Sequence, residues 1–311
     1  MNKDFIFVEK YAPKSVDECI LPETIKKYFV NIRDSGTVPH MTLSGPPGIG
    51  KTSTIQALAH ELGRDFMKIN GSKERSIDII RTRVENFAST VSLSLTGKKI
   101  LLIDEADNLT MDAQLALKSL IEDVQRNCTF VFTCNYKNRL DSALLSRCPI
   151  IEFSIPSKEK PKLAAVFYDR ILEILTTERI EYDDKKTIMK LVTKHFPDFR
   201  RTLHEIQRHS LGGSIDSSVL ANATDIKISE LIKFMKEKEF NKVRSWVINN
   251  LDNDPNIILR RLYDGLSEYA VPHTIPEAIL IIAEHQNKNV VDNEINLIAC
   301  FVKIMCKVEF V

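Results

Sequence analysis

Met41-Thr-Leu-Ser-Gly-Pro-Pro-Gly-Ile-Gly-Lys-Thr52 decides how the rest of the sequence is read. From Gly45 to Thr52 it fits the spacing G-x-x-x-x-G-K-[ST]. It follows a short β-prone run and opens a helical pattern whose apolar side is Ile55, Leu58, Ala59 and Leu62. The bend Gly45, Pro46, Pro47, Gly48, Ile49 and Gly50 brings backbone amides close to phosphate oxygens. The helix that starts with Lys51, Thr52 and Ser53 adds a positive partial charge at its N-terminus. Lys51 supplies a point charge for the β and γ phosphates, and the Thr52 hydroxyl is a ligand for Mg2+, so ATP and Mg2+ are the expected cofactors.

Outward from this segment, short apolar runs alternate with helical patterns. Met41–Gly45, Phe66–Asn70, Lys98–Asp104, Cys128–Asn135 and Pro149–Phe153 make five strands separated by helices, which predicts an α/β fold with a five-stranded parallel sheet. After Pro156 the apolar residues fall at helical intervals and the remainder reads as all-helical. The pair Gly212-Gly213 ends a helix with the apolar face Phe199, Leu203 and Ile206, and a linker runs on to Asp225. The expected division is 1–156, 157–213 and 214–311. In the last part Leu231, Ile232 and Met235, then Val243, Trp246 and Val247, then Ile257, Ile258 and Leu262 form apolar stripes, either as core or as a face for sister subunits.

Lys98-Lys-Ile-Leu-Leu-Ile-Asp-Glu-Ala-Asp107 is an apolar strand ending in carboxylates. Asp104 is placed to hold Mg2+ through its water shell, and Glu105 to orient or deprotonate an attacking water. Asn135, at the C-terminal end of the run Thr129–Thr133, is where ligands of open α/β sheets sit and can bridge the γ phosphate and the water.

The chain has 311 residues, 43% of them hydrophobic, enough for two or three packed units of a soluble protein. No stretch approaches the roughly 20 apolar residues that span a bilayer, and no signal-peptide core is present. Six cysteines without CxxC spacing argue for reduced thiols in a cytosol and against zinc. With 43 basic and 42 acidic residues, any nucleic-acid contact must be local.

Four further blocks carry a resemblance: Glu9-Lys-Tyr-Ala-Pro-Lys-Ser-Val-Asp-Glu18, Asn70-Gly-Ser-Lys-Glu-Arg-Ser-Ile-Asp78, Ser146-Arg-Cys148 and Phe196-Pro-Asp-Phe-Arg-Arg-Thr202. With the phosphate motif they make the chain resemble the AAA+ ATPase subunits of sliding-clamp loaders. These are the replication factor C small subunits and, most closely, the loader ATPase of T-even-like tailed phages. The similarity runs from about residue 8 to 210. It implies an AAA+ P-loop domain, a small helical lid and an all-helical C-terminal collar for oligomerisation. The activity implied is a DNA-dependent ATPase that loads a sliding clamp onto primer-template DNA. Its partners would be the clamp, the DNA and other loader subunits in a hetero-oligomer, pentameric with a non-ATPase subunit, working in the cytoplasm of a bacterial host.

By the same resemblance, Arg147 reaches the ATP site of a neighbouring subunit, and Arg200, with Arg201 as the alternative, is the lid arginine that senses the γ phosphate, close to the start of a helix for which Asp198 is the expected cap. Val8 and Tyr11 lie against the adenine. Ala12 stands where the family has arginine. The block after Asn70 faces template DNA. Between Lys68 and Val84 five cations (Lys68, Lys73, Arg75, Arg81, Arg83) stand against the two acids Glu74 and Asp78, and Lys73, Arg75 and Arg81 are the preferred phosphate contacts. Gln114 and Lys118 are candidate DNA or coupling contacts, placed opposite the stripe Leu117, Leu120, Ile121 and Val124.

Three competitors remain. Asp104-Glu-Ala-Asp107 spells a helicase signature, but no second domain of that kind is evident. A subunit that binds nucleotide without hydrolysing it is opposed by the intact Lys51, Asp104, Glu105 and Arg147. A helicase-loading or junction-migrating AAA+ protein shares the same site chemistry.

Overall fold

The computed structural model describes residues 6–74, 77–90, 97–211, 214–215, 228–251, 254–286 and 292–310. Two short helical stretches, α1 (Phe7–Lys10) and α2 (Glu23–Ser35), precede the first strand, β1 (Met41–Ser44). Then follow α3 (Lys51–Glu61), β2 (Phe66–Asn70), α4 (Ile77–Ser89), β3 (Lys99–Asp104), α5 (Met111–Val124), β4 (Cys128–Cys134), α6 (Ser142–Leu145) and β5 (Ile150–Glu152). All five expected strands form, in the spatial order β2-β3-β4-β1-β5, every neighbouring pair parallel. Every residue of β1, β3 and β4 is buried, as expected of central strands covered on both faces, and β5 is more open at the edge.

Alternation along these strands feeds two cores. Ile100 and Leu102 point into one with Phe29 of α2 and Ile55 and Leu58 of α3; Leu101 and Ile103 point into the other with Ile80 and Val84 of α4 and Leu117 of α5. Because the sheet is parallel, the C-terminal ends of β1, β3 and β4 lie side by side, and the three chemical motifs each follow one of them.

The lid elements are α7 (Lys160–Thr177), α8 (Lys185–His195) and α9 (Phe199–Ser210). Asp198 caps α9 as its spacing predicts, its carboxylate accepting from the Arg201 amide at 2.9 Å. Among the described residues the all-helical expectation fails where β6 (Glu181–Tyr182) pairs in parallel with β7 (Ser214–Ile215), and Ala270 and Phe310 form a single antiparallel bridge. Two-residue strands leave no periodic pattern to read.

The chain packs as two compact units, Met1–Val219 and Leu220–Val311. The expected boundary at 156/157 falls inside the first; Gly212, Gly213 and most of the linker to Asp225 lie outside the described residues. The second unit is helical, with α10 (Ile228–Lys236), α11 (Phe240–Asn249), α12 (Pro255–Tyr269), α13 (Ile275–Gln286) and α14 (Asn293–Lys307). The apolar stripes are its core: Leu231, Met235, Val243, Val247, Ile258 and Leu262 are all at most 1% exposed, and Trp246 stands edge-on to Phe301. Ile257 is the exception, at 38% exposed. Five cysteines are buried, and Cys306 is exposed on α14. No helix among the described residues is long and apolar enough to cross a membrane.

Candidate active site

Gly50, the residue before α3, has φ +98°, and Gly48 has φ +74°; both lie in the left-handed region that glycine enters without a Cβ penalty. A Cβ on Gly48 would also stand 1.8 Å from Asp198 Oδ1, and the Gly48 carbonyl accepts from the Phe199 amide at 3.1 Å. The start of α9 therefore rests directly on the phosphate loop. Lys51 is 8% exposed and its ammonium donates to Gly45 O (2.7 Å), Pro46 O (2.9 Å) and Asn135 Oδ1 (3.0 Å). Burial pushes its pKa below the usual lysine value, against the opposing pull of Cys134, Asp104 and Asp107.

Beside it, Asp104 Oδ1 accepts from Thr52 Oγ1 at 2.7 Å and from Thr133 Oγ1 at 2.5 Å, while Lys68 Nζ lies 2.6 Å from Oδ2. Burial alone would raise this carboxyl; the Lys68 ammonium and the Thr133 and Thr52 hydroxyls outweigh it and hold the pKa below the ordinary aspartate value. A charged carboxylate touching a hydroxyl oxygen is a hard-oxygen donor pair suited to Mg2+, so Thr52 and Asp104 fit the expected metal.

Glu105 follows with φ +57°, a strained conformation for a side-chain-bearing residue. Its amide donates to Thr133 Oγ1 at 3.1 Å, and its carboxylate accepts a short hydrogen bond from the Ser72 hydroxyl, which in turn accepts from Asn108 Nδ2 at 2.9 Å. Asn135 is fixed from behind, because the Asn135 and Tyr136 amides both donate to Asp107 Oδ2 at 3.1 Å.

The cleft continues between the N-terminal block and the lid. Val8, Tyr11, Ala12 and Pro13 line it from one side, Ile174, Phe199 and Leu203 from the other, with Arg170 and Arg200 among its cations. Arg201 is not among the lining residues, so the geometry favours Arg200 for a role in this cleft. The Tyr11 hydroxyl donates to Glu178, which also pairs with Lys10 at 2.6 Å and ties the N-terminal block to the end of α7.

Arg147 does not line this cleft. It lies after α6, 30% exposed, with Nε and Nη2 on Glu122 Oε1 and Nη1 on Ala143 O. Lys73 and Arg81 are exposed, Lys118 is half-buried, and Arg75 lies outside the described residues. Two of the five cations counted from Lys68 to Val84 are engaged internally: Lys68 by Asp104 and Arg83 by Glu74.

Gln114 is a correction. It does not lie opposite the apolar stripe but within it, 2% exposed, donating to Leu109 O (3.3 Å) and Arg139 O (3.1 Å) and accepting from the Asp141 amide (2.8 Å). Positions 114, 117 and 121 share one helix face, so periodicity places Gln114 inside and its polarity misleads. A direct DNA contact from that side chain is excluded by its burial.

Sequence reasoning also missed Ser72, Thr133, Asp107 and Arg170, and it assigned Lys68 only to a basic patch. Register carries the missing signal: Asn70 pairs with Asp104 across β2 and β3, which places Lys68 and Ser72 near the carboxylates.

Two family models match the chain. Residues 41–155 match the ATPase family associated with various cellular activities (AAA), and residues 164–221 match the AAA+ ATPase lid domain of the sliding-clamp-loader large subunit. The sliding-clamp-loader large subunit of Enterobacteria phage T4 is 31% identical over 316 residues, covering 99% of this chain and 98% of that protein. That of Escherichia phage RB69 is 35% identical over 266 residues, covering 80% and 82%. The replication factor C small subunit of Archaeoglobus fulgidus is 33% identical, covering 77% of this chain and 76% of its own.

Among solved structures, the Thermotoga maritima RuvB Holliday junction branch migration motor superposes with a TM-score of 0.54 at 20% identity, covering 75% of this chain and 84% of that one. At that identity the likeness shows the AAA+ fold alone. Phosphate loop, lid and full-length relatives agree, and the chain belongs to the ATPase subunits of sliding-clamp loaders.

Proposed function

We propose that this chain binds ATP with Mg2+ in the cleft between phosphate loop and lid, and hydrolyses it only when a neighbouring subunit brings in Arg147. The observation that carries this reading is a division of labour: Lys51, Thr52, Asp104, Glu105, Asn135 and Arg200 surround one cleft, while Arg147 is held away from it by Glu122.

In the cleft, Lys51 would exchange its loop carbonyls for β and γ phosphate oxygens, with amides at the start of α3 beside them. Mg2+ held by Thr52 and, through its water shell, Asp104 would offset charge on the phosphates. Asn135 would orient the water and Glu105 would take its proton as the oxygen attacks the γ phosphorus. The bond from that phosphorus to the bridging oxygen then breaks, giving ADP and phosphate. Glu105 must first leave the Ser72 hydroxyl that holds it, which makes the β2–α4 block a gate on the reaction. Arg200 would report the γ phosphate to α9, whose first amide, that of Phe199, already donates to the Gly48 carbonyl.

In this reading the ATPase domain spans 1–156, the lid 157–213 and a collar 214–311 that joins the subunits. The partners are a sliding clamp, primer-template DNA contacted by Lys73, Arg75, Arg81 and Lys118, and further subunits that complete a hetero-oligomer of five, one without ATPase activity. Its place of action is the cytoplasm of a bacterial host. ATP turnover of the assembled loader, measured alone, with primed DNA, with the ring, and with both, tests the reading. The expected result is the greatest turnover with both together, and turnover indifferent to either would contradict it.

A further inference from the structure

Every oxygen of Asp104 is already engaged. Thr52 and Thr133 occupy Oδ1, and the ammonium of Lys68 sits 2.6 Å from Oδ2. Lys68 reaches this point because it shares a sheet face with Asn70, whose register partner is Asp104. It differs from Lys51 in what would hold it in place. Lys51 is buried on three oxygens; the Lys68 side chain is 37% exposed on the edge strand β2. An edge lysine on a flexible stem can swing to solvent without opening the core. A divalent cation held by Thr52 and Asp104 would stand within a few ångströms of that ammonium, and like charges at such range repel each other.

We propose that Lys68 is the resident counter-cation of the metal carboxylate. It neutralises Asp104 while the nucleotide is absent, preserves the charged, hydroxyl-bound geometry of that side chain, and leaves when Mg2+ arrives with ATP. The inference rests on the reading of Thr52 and Asp104 as the metal-holding pair. Its consequence is a built-in penalty on metal entry: metal-free chain is stabilised by the ion pair, and each binding event must break it. Lys68 is thus a positioning residue that acts through Asp104.

The test is a Mg2+ titration of the binding of a fluorescent ATP analogue to the full chain, repeated with Mn2+ and read independently by the paramagnetic resonance of bound Mn2+. Lys68→Met and Lys68→Gln are expected to lower the half-saturating metal concentration by about two- to fivefold, the size of a partly exposed ion pair. Lys68→Arg, which keeps the charge, is expected to stay near wild type. The two neutral variants should also melt lower than wild type without metal and close that gap when metal and nucleotide saturate. An unchanged or raised half-saturating concentration in both neutral variants overturns the proposal and leaves the site reading standing. Nucleotide binding that ignores the metal in the wild-type chain overturns both.

Discussion

Lys51 lies buried on two loop carbonyls and Asn135, whereas Arg147 lies 30% exposed on the carboxylate of Glu122 and the carbonyl of Ala143. The first cation is surrounded by groups of its own cleft: Thr52 on Asp104, Thr133 on Asp104 and Glu105, Asp107 behind Asn135. The second has one ion pair, of a kind that contributes about 1 kcal/mol or less and can be exchanged at little cost. The contrast teaches where the reaction is gated. The groups proposed to bind nucleotide within one chain are preorganised by several partners, and the arginine proposed to act on a neighbour is held where it can be released.

Substitutions can break or sharpen this comparison. Glu105→Gln removes the proposed base and leaves the proposed binding groups in place; turnover of the assembly is expected to fall by roughly 100- to 10 000-fold in phosphate-release assays, with nucleotide affinity retained. Arg147→Ala is expected to lower turnover about a thousandfold without weakening nucleotide binding to the isolated chain. If the arginine serves a neighbour, mixing Arg147→Ala with Lys51→Ala protein restores part of the activity. If it serves its own site, mixing restores none.

Gly48→Ala attacks the cis half directly. A Cβ at φ +74° and 1.8 Å from Asp198 Oδ1 is expected to weaken nucleotide binding and to cost about 1–3 kcal/mol of stability in thermal melts. The smallest effect should come from Ser72→Ala, which frees Glu105. A rise of a few-fold in turnover without DNA is the expected outcome, and unchanged basal turnover would mean that Ser72 does not restrain the base.

The sheet, the phosphate loop and the carboxylates after β3 were legible in the sequence because each is local: a fixed spacing of glycines, an apolar run, an acidic pair at its end. Asp198 was legible for the same reason, as a cap three residues before the amide it accepts from. What escaped depends on register between distant segments. Lys68 and Ser72 reach Asp104 and Glu105 only because β2 pairs with β3, and Thr133 reaches both only because β4 lies on the other side of β3.

Gln114 shows a different failure. Its position on the helix marked it as buried, but a polar residue on an apolar face was read by type instead of by period. Its amide satisfies two carbonyls and its oxygen one amide, which is how a polar side chain is accommodated inside. The second unit was legible as core stripes because helical periodicity survives without any motif.

The central claim is that one chain holds a complete binding site and half a catalytic one. Nucleotide affinity and turnover per chain, measured together across a dilution series that takes the assembly to monomers, test it most directly. The account predicts constant affinity in the presence of Mg2+ while turnover per chain collapses as the neighbour's Arg147 is lost. Undiminished turnover by the dilute monomer would contradict it.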